Sequence, residues 1–121
     1  MMFRKAQLFN DEETAERILR AGSPAAVKAL GRAVRGFQDP LWREHRVSIV
    51  VDGNQAKFSQ SPALGDFLRS TKKRVLVEAS PVDKIWGIGM AADDPRAESP
   101  HAWRGLNLLG FALMDVRERL F

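Results

Sequence analysis

The chain has 121 residues and a mass of 13.6 kDa, with 45% hydrophobic and 28% charged residues, the composition of one globular domain able to bury a core without covalent staples. It has no cysteine, which excludes disulfides, thiolate nucleophiles and cysteine metal sites, and His45 and His101 are too few for a histidine-rich zinc centre. Nineteen basic against fifteen acidic residues give +4, spread from Arg4 to Arg119, which argues against a basic nucleic-acid-binding tail and leaves a mildly cationic surface suited to an anionic ligand.

The first nine residues, Met1 to Phe9, lack the long apolar stretch and small-residue cleavage site of a secretory signal. No later run approaches the ~20 apolar residues that span a bilayer, so no membrane partner and cytoplasmic residence are expected. A helix is expected to start at Asn10, with Glu13 completing a capping box and Ala15, Ile18 and Leu19 forming its apolar stripe. Four later starts share one chemical form, a small polar residue followed by proline: Ser23-Pro24, Asp39-Pro40, Ser61-Pro62 and Ser99-Pro100. Each proline fixes φ where a helix needs it and gives up an N–H that would otherwise be unpaired.

The helix from Pro24 is expected to run toward Arg35, with Val27, Leu30 and Val34 on one face and Gly36 as its stop. From Pro40 to Phe58, Val47 to Val51 have strand composition, while Leu41, Trp42, His45, Ile49 and Phe58 suit a helical face, and helix is the favoured reading. A short helix from Pro62 to Ser70 is expected to pack Leu64, Phe67 and Leu68. After the basic turn Thr71-Lys72-Lys73-Arg74, the run Val75-Leu76-Val77-Glu78 is the best strand in the chain. Residues 80 to 104 carry two glycines, three prolines and several acids without periodicity, the mark of a long loop with a function. A last helix is expected from about Pro100 or Trp103 to Leu120, with Leu106, Leu109, Leu113 and Val116 spaced by three and four.

Chemistry-bearing residues are densest from Glu78 to Gly89, where a strand feeds a loop with two carboxylates, an indole and two glycines. Two readings of these residues stand. In one, a carboxylate acid or base lies beside an aromatic platform for a flat ring; in the other, Glu78 and Asp83 cap backbone while Trp86 packs in the core. Gly87 and Gly89 do not meet the spacing of a dinucleotide or P-loop motif. Ser99, His101, Asp93 and Asp94 do not form a nucleophilic triad, because Ser99 precedes proline in a cap and no nucleophile elbow is present. Arg32 and Lys57 sit among apolar positions, which is compatible with heads turned into a cleft.

The stretch from Phe9 to Leu120 resembles the NADAR (YbiA-like) family. The matching features, in the family's order and spacing, are Ala29-Leu30-Gly31-Arg32, Ala56-Lys57-Phe58-Ser59-Gln60, Leu76 to Pro81 with Asp83, Trp86-Gly87-Ile88-Gly89, and Trp103 to Gly110 running into Leu113 to Arg117. The resemblance implies an α+β fold, a mainly helical single domain with a small β element. It also implies N-glycosidase chemistry, hydrolysis of the bond between a ribose anomeric carbon and a base nitrogen. Family members are described as acting on riboflavin-pathway pyrimidine intermediates or as removing ADP-ribose from guanine. The partner it implies is a small-molecule nucleotide or ADP-ribosylated base, with ADP-ribosylated nucleic acid as a wider candidate, and no metal or cofactor is called for. By the same resemblance, Trp86 stacks or positions the base or sugar, Asp83 and Glu78 do acid/base or orienting work, Arg32 and Lys57 bind phosphate, and Asn107 orients.

Two departures from the family pattern stand out. Its tryptophan motif tends to read Trp-Gly-Asp-Gly, whereas this chain has Ile88 in the acid position, which moves weight from the riboflavin intermediates toward an ADP-ribosyl-type substrate. Members also carry, before this stretch, an aromatic-rich strand and a Ser/Ala-Glu-His/Gln-Tyr motif whose glutamate is regarded as catalytic. Met1 to Ala6 resembles the middle of the family's first helix, so the domain spanning 1–121 is expected to be shortened at its N-terminus and weak or inactive alone. The alternatives are a non-catalytic ADP-ribose or nucleotide-binding module and one half of a split enzyme.

Overall fold

The computed structural model describes residues 1–121, which form six α-helices and two short 3₁₀ turns. They group into two compact units, residues 1–49 and 50–121, and each is described on its own.

In the first unit, α1 (Met2–Leu8), α2 (Glu12–Arg20) and α3 (Pro24–Arg32) are followed by the first half of α4 (Asp39–Gln60). Its core is Ala6, Ala15, Ile18 and Val34, enclosed by Met2, Phe3, Phe9, Val27 and Leu30. The cap of α2 is Asp11, one residue beyond the expected Asn10, which adopts a left-handed φ of 58° to turn the chain into it. Asp11 wins because its carboxylate also reaches across the unit. It accepts from the Thr14 amide at 3.2 Å, the Thr14 hydroxyl at 2.6 Å, and the Arg35 amide and guanidinium, both at 2.9 Å. Glu13, the expected capping-box partner, instead pairs with Arg35 at 3.1 Å. Ser23 caps α3 through the Ala26 amide as expected, but α3 ends at Arg32, short of Arg35, whose backbone N–H is given to Asp11.

The second unit comprises the rest of α4, α5 (Pro62–Ser70) and α6 (Leu108–Leu120), with the 3₁₀ turns Pro95–Glu98 and Pro100–Ala102 in the long connection between α5 and α6. Its core is Val50, Val51, Leu68, Ala112 and Val116, flanked by Phe58, Leu76, Trp86, Leu109 and Leu120. The favoured helical reading of 40–58 holds across α4, which starts at Asp39, where the carboxylate meets Arg43 at 2.7 Å one turn on. α5 has the expected bounds, with Ser61 accepting from the Leu64 amide, yet Phe67 is 69% exposed and Leu68 alone of its apolar trio is buried. Ser99-Pro100 opens only a 3₁₀ turn, without a side-chain cap, and α6 begins later than expected, at Leu108.

The fold is mainly helical, as expected, but the small β element is not found: Val75 to Glu78 pairs with no strand. Its side chains still alternate, with Val75 and Val77 exposed and Leu76 and Glu78 half-buried, the period of an extended chain. The ladder is replaced by one side chain. The carboxamide of Asn107 accepts from the Glu78 amide and donates to the Leu76 carbonyl, each at 3.0 Å, filling the role a neighbouring backbone would have.

One stability prediction follows from Asp11. Arg35 and Thr14 hold its carboxyl well below the ordinary value of 3.8, the Arg35 side chain contributing most. A depressed folded value means that the stabilisation is fully present above the ordinary value and is lost as pH falls through and below it. Thermal unfolding followed from pH 7 to pH 2 should show this loss, and Asp11→Asn should be less stable at pH 7 with a flatter acid limb.

Candidate functional site

The candidate site is built by two segments of the second unit, 78–89 and 104–109, joined through backbone. The Ile88 amide donates to the Glu78 carbonyl at 3.0 Å, Arg104 to Ile88 at 2.9 Å, Leu106 to Lys84 at 2.9 Å and Asn107 to Gly87 at 3.0 Å. The amides of Leu108 and Leu109, unpaired donors at the start of α6, are satisfied by the carbonyls of Ile85 and Trp86 at 3.2 and 3.1 Å. The loop therefore caps the helix with its own backbone. Asn107, in the left-handed region at φ 53°, is thereby freed to turn its side chain to Leu76 and Glu78. It is fully buried, with both ends of its carboxamide bonded.

Such close threading explains two glycines that follow the indole of Trp103. A Cβ at Gly105 would lie 2.9 Å from both the Ile88 carbonyl carbon and the Lys84 Cα, and also collide with the Gly87 oxygen. A Cβ at Gly110 would collide with the Leu76 oxygen and the Asn107 carboxamide. Both sites are limited by backbone or by a fixed amide, which cannot give way cheaply.

Within this frame Asp83 shapes the loop. Its Oδ1 accepts from the amides of Ile85 at 3.0 Å and Trp86 at 2.8 Å, while its own amide donates to the Ser80 hydroxyl at 3.1 Å. Trp86 is half-buried against the hydrophobic core. Ile88 is fully buried, so the position where the family pattern has an acid is a packing position here. Glu78 is half-buried and is the sole ionisable residue lining a cleft of about 170 Å³ walled by Phe58, Phe67, Leu76, Leu109 and Leu113. Lys57 is exposed on α4, its ammonium 5.7 Å from the centre of the neighbouring Phe58 ring. Arg32 is exposed in the last turn of α3, in the first unit. Thus Glu78, Asp83, Trp86 and Asn107 are joined by one hydrogen-bond network with the 78–89 loop, Lys57 lies next in sequence to a cleft-lining residue, and Arg32 belongs to the first unit.

Beyond this loop, Asp94 caps the first 3₁₀ turn and pairs with Arg96 at 3.0 Å, which holds its carboxyl down at about 2. A larger, open groove of about 960 Å³ lies along Arg69, Lys72, Lys73, Phe111, Arg117 and Phe121 and contains none of the expected site residues. Arg69 and Arg117 there occupy the last turns of α5 and α6, where cations offset the helix dipoles. The sequence reading did not find the 170 Å³ cleft. Phe67 reads only as an apolar position and Phe58 as one within the Ala56 to Gln60 motif, and nothing in their spacing shows that Leu109 and Leu113 line the same cleft.

Comparison with known proteins gives one family model, the NADAR domain, matching residues 1–121. Curated relatives include N-glycosidase R617 of Acanthamoeba polyphaga mimivirus, 44% identical over 118 residues, covering 98% of this chain and 69% of the relative. Protein irg-1 of Caenorhabditis elegans is 40% identical over 122 residues, covering 99% of this chain and 58% of the relative. N-glycosidase YbiA of Escherichia coli (strain K12) is 32% identical over 116 residues, covering 96% of this chain and 66% of the relative. The chain thus spans roughly 58 to 69% of the length of these proteins.

The Asn107 bridge predicts a measurable cost. Asn107→Ala removes both bonds and leaves the Leu76 oxygen and the Glu78 amide unsatisfied, which should lower stability by about 2 to 4 kcal/mol. Denaturant unfolding measures it, and Gly110→Ala should also destabilise because its Cβ displaces the same contacts.

Proposed function

The chain belongs to the NADAR domain family, and on that premise we propose that it is an N-glycosidase domain hydrolysing the bond between a ribosyl or ADP-ribosyl group and a nitrogenous base. The observation that carries this reading is that the carboxylates of Glu78 and Asp83 and the indole of Trp86 lie on one backbone-braced loop, in a chain 44% identical to a named N-glycosidase.

The chemistry sets the roles. Breaking the C1′–N bond leaves an oxocarbenium-like ribose; water supplies hydroxide to the anomeric carbon, and a proton goes to the departing nitrogen. A carboxylate beside apolar walls stabilises such a cation more strongly than one in bulk water, because the surroundings screen it less. Glu78, which lines the 170 Å³ cleft, is assigned this role or the activation of water. Asp83 orients Trp86 through the two amides held on Oδ1, leaving Oδ2 for a substrate hydroxyl or water. Trp86 positions the base or sugar, Lys57 takes a phosphate, and Asn107 is a positioning residue acting through the backbone of Glu78. Arg32, in the first unit, is assigned the phosphate role that the family pattern gives it. Small ribosylated or ADP-ribosylated bases are the proposed substrate class, with ADP-ribosylated nucleic acid as its larger form.

A second reading, a nucleotide-binding module without turnover, is favoured by two observations: both loop amides already occupy Asp83 Oδ1, and Ile88 supplies no further acid. Release of free base from ADP-ribosylated guanosine, followed by chromatography, separates the two. Turnover that falls at least tenfold in Asp83→Ala and Trp86→Ala, about 1.4 kcal/mol or more in the barrier, supports the glycosidase. Rates unchanged in both variants remove these residues from the site. ADP-ribose binding measured by calorimetry with no base released, either by this chain or by one extended at its N-terminus, supports the binding module.

A further inference from the structure

Ser80-Pro81 repeats, at the start of the candidate loop, the serine-proline pair that opens α3 and α5. In all three places the serine hydroxyl accepts from the amide three residues on: Ser23 from Ala26 at 3.1 Å, Ser61 from Leu64 at 3.4 Å and Ser80 from Asp83 at 3.1 Å. A helix follows the first two. None follows Ser80, because the residue that receives the cap is itself a cap. A continuing helix would give the amides of Ile85 and Trp86 to the carbonyls of Pro81 and Val82. The Asp83 carboxylate takes both instead, at 3.0 and 2.8 Å. The loop is thus two capped turns in series, with Ser80 holding Asp83 and Asp83 holding Trp86.

Ser80 is also held from behind. Its own amide donates to the Glu78 carbonyl at 3.1 Å, the oxygen that also accepts from Ile88 at 3.0 Å. Gly87 fills the space so enclosed: a Cβ there would lie 2.9 Å from the carbonyl oxygens of Glu78 and Asp83 and 3.3 Å from the Ser80 Cβ. Ser80 therefore stands between the backbones of the two carboxylate residues and against the residue that follows the indole. We propose that Ser80 is a positioning residue of this site, its hydroxyl setting where the Asp83 carboxylate and the Trp86 indole stand relative to Glu78. The consequence for turnover rests on the glycosidase reading, whereas the relay from Ser80 to Trp86 is a property of the free chain. In this role Ser80 acts through Asp83 and not on the substrate, so loss of its hydroxyl has no further effect once the Asp83 carboxylate is gone. Small displacements of positioned groups lower rates steeply, because the reacting atoms must meet in a narrow range of geometries.

Two measurements test this. Amide hydrogen exchange of the 121-residue chain by NMR should be at least about fivefold faster at Ile85 and Trp86 in Ser80→Ala, although Ser80 bonds to neither amide. Ser80→Thr, which keeps a hydroxyl, should exchange as the unsubstituted chain does. The second measurement is release of free base from ADP-ribosylated guanosine, by this chain or by one extended at its N-terminus. Ser80→Ala should lower kcat/KM about tenfold, Ser80→Thr should restore it, and Ser80→Ala added to Asp83→Ala should change it by less than about twofold. If the unsubstituted proteins release no base, the glycosidase reading fails, and the same cycle is read from the Kd for ADP-ribose or, without binding, from exchange in the same four proteins. Exchange at Ile85 and Trp86 indifferent to Ser80→Ala overturns the proposal whatever the turnover. So does a Ser80→Ala protein whose melting temperature falls while kcat/KM holds, the mark of a serine that only stabilises. An effect that adds in full to that of Asp83→Ala overturns it as well.

Discussion

The second unit hangs on the carboxamide of Asn107. It is buried, sits in a backbone conformation that asparagine tolerates better than most residues, and gives both polar ends to a run that has no strand beside it. Three consequences follow from that single placement. Glu78 is fixed relative to the start of α6; Gly110 must lack a side chain so that the Leu76 carbonyl can approach; and the first amides of α6 must find carbonyls elsewhere, which they do at Ile85 and Trp86. The last of these links helix and loop, so the indole of Trp86 and the carboxylate of Asp83 inherit the rigidity of α6. A candidate site made of loop residues is thereby tied to a helix end.

The first unit solves a similar problem with a charge. Asp11 satisfies the start of α2 and the backbone and side chain of Arg35, tying together residues 24 positions apart. Lys5 contributes in the same unit, donating to the Gly31 carbonyl at 2.8 Å with its ammonium over the rings of Phe37 and Trp42. In each unit one buried polar side chain does what a paired strand or a longer helix would otherwise do.

What the sequence revealed was local. Ser61-Pro62 marked α5 because the cap, the fixed φ and the missing amide are properties of adjacent residues, and Ser23-Pro24 marked α3 for the same reason. Ser99-Pro100 looked identical and opens only a 3₁₀ turn; the backbone carbonyls that cap α6 come from residues about twenty positions earlier. Asn10 lost the cap to Asp11 because Arg35, remote in sequence, rewards a carboxylate at that position. The expected strand at 75–78 has the right composition and alternation, yet strand formation also needs a neighbour, which no local pattern reports. At the site, the resemblance singled out Asn107 as an orienting residue, while its actual partners, Leu76 and Glu78, lie 31 and 29 positions away. Of the two sequence readings of the 78–89 loop, the capping one is met by Asp83, which caps backbone, and by Trp86, which packs on the core, but not by Glu78, whose carboxylate caps no backbone amide.

The central claim is that the loop from Glu78 to Gly89, braced by Asn107, is where a ribosyl ligand sits. Amide and indole NMR shifts recorded during titration with ADP-ribose test it most directly. The account predicts that the largest changes fall on the Trp86 indole and on the amides of Ile85, Trp86 and Ile88. Changes confined to the groove of Arg69, Lys72, Lys73 and Arg117, with the Trp86 signals unmoved, would contradict it.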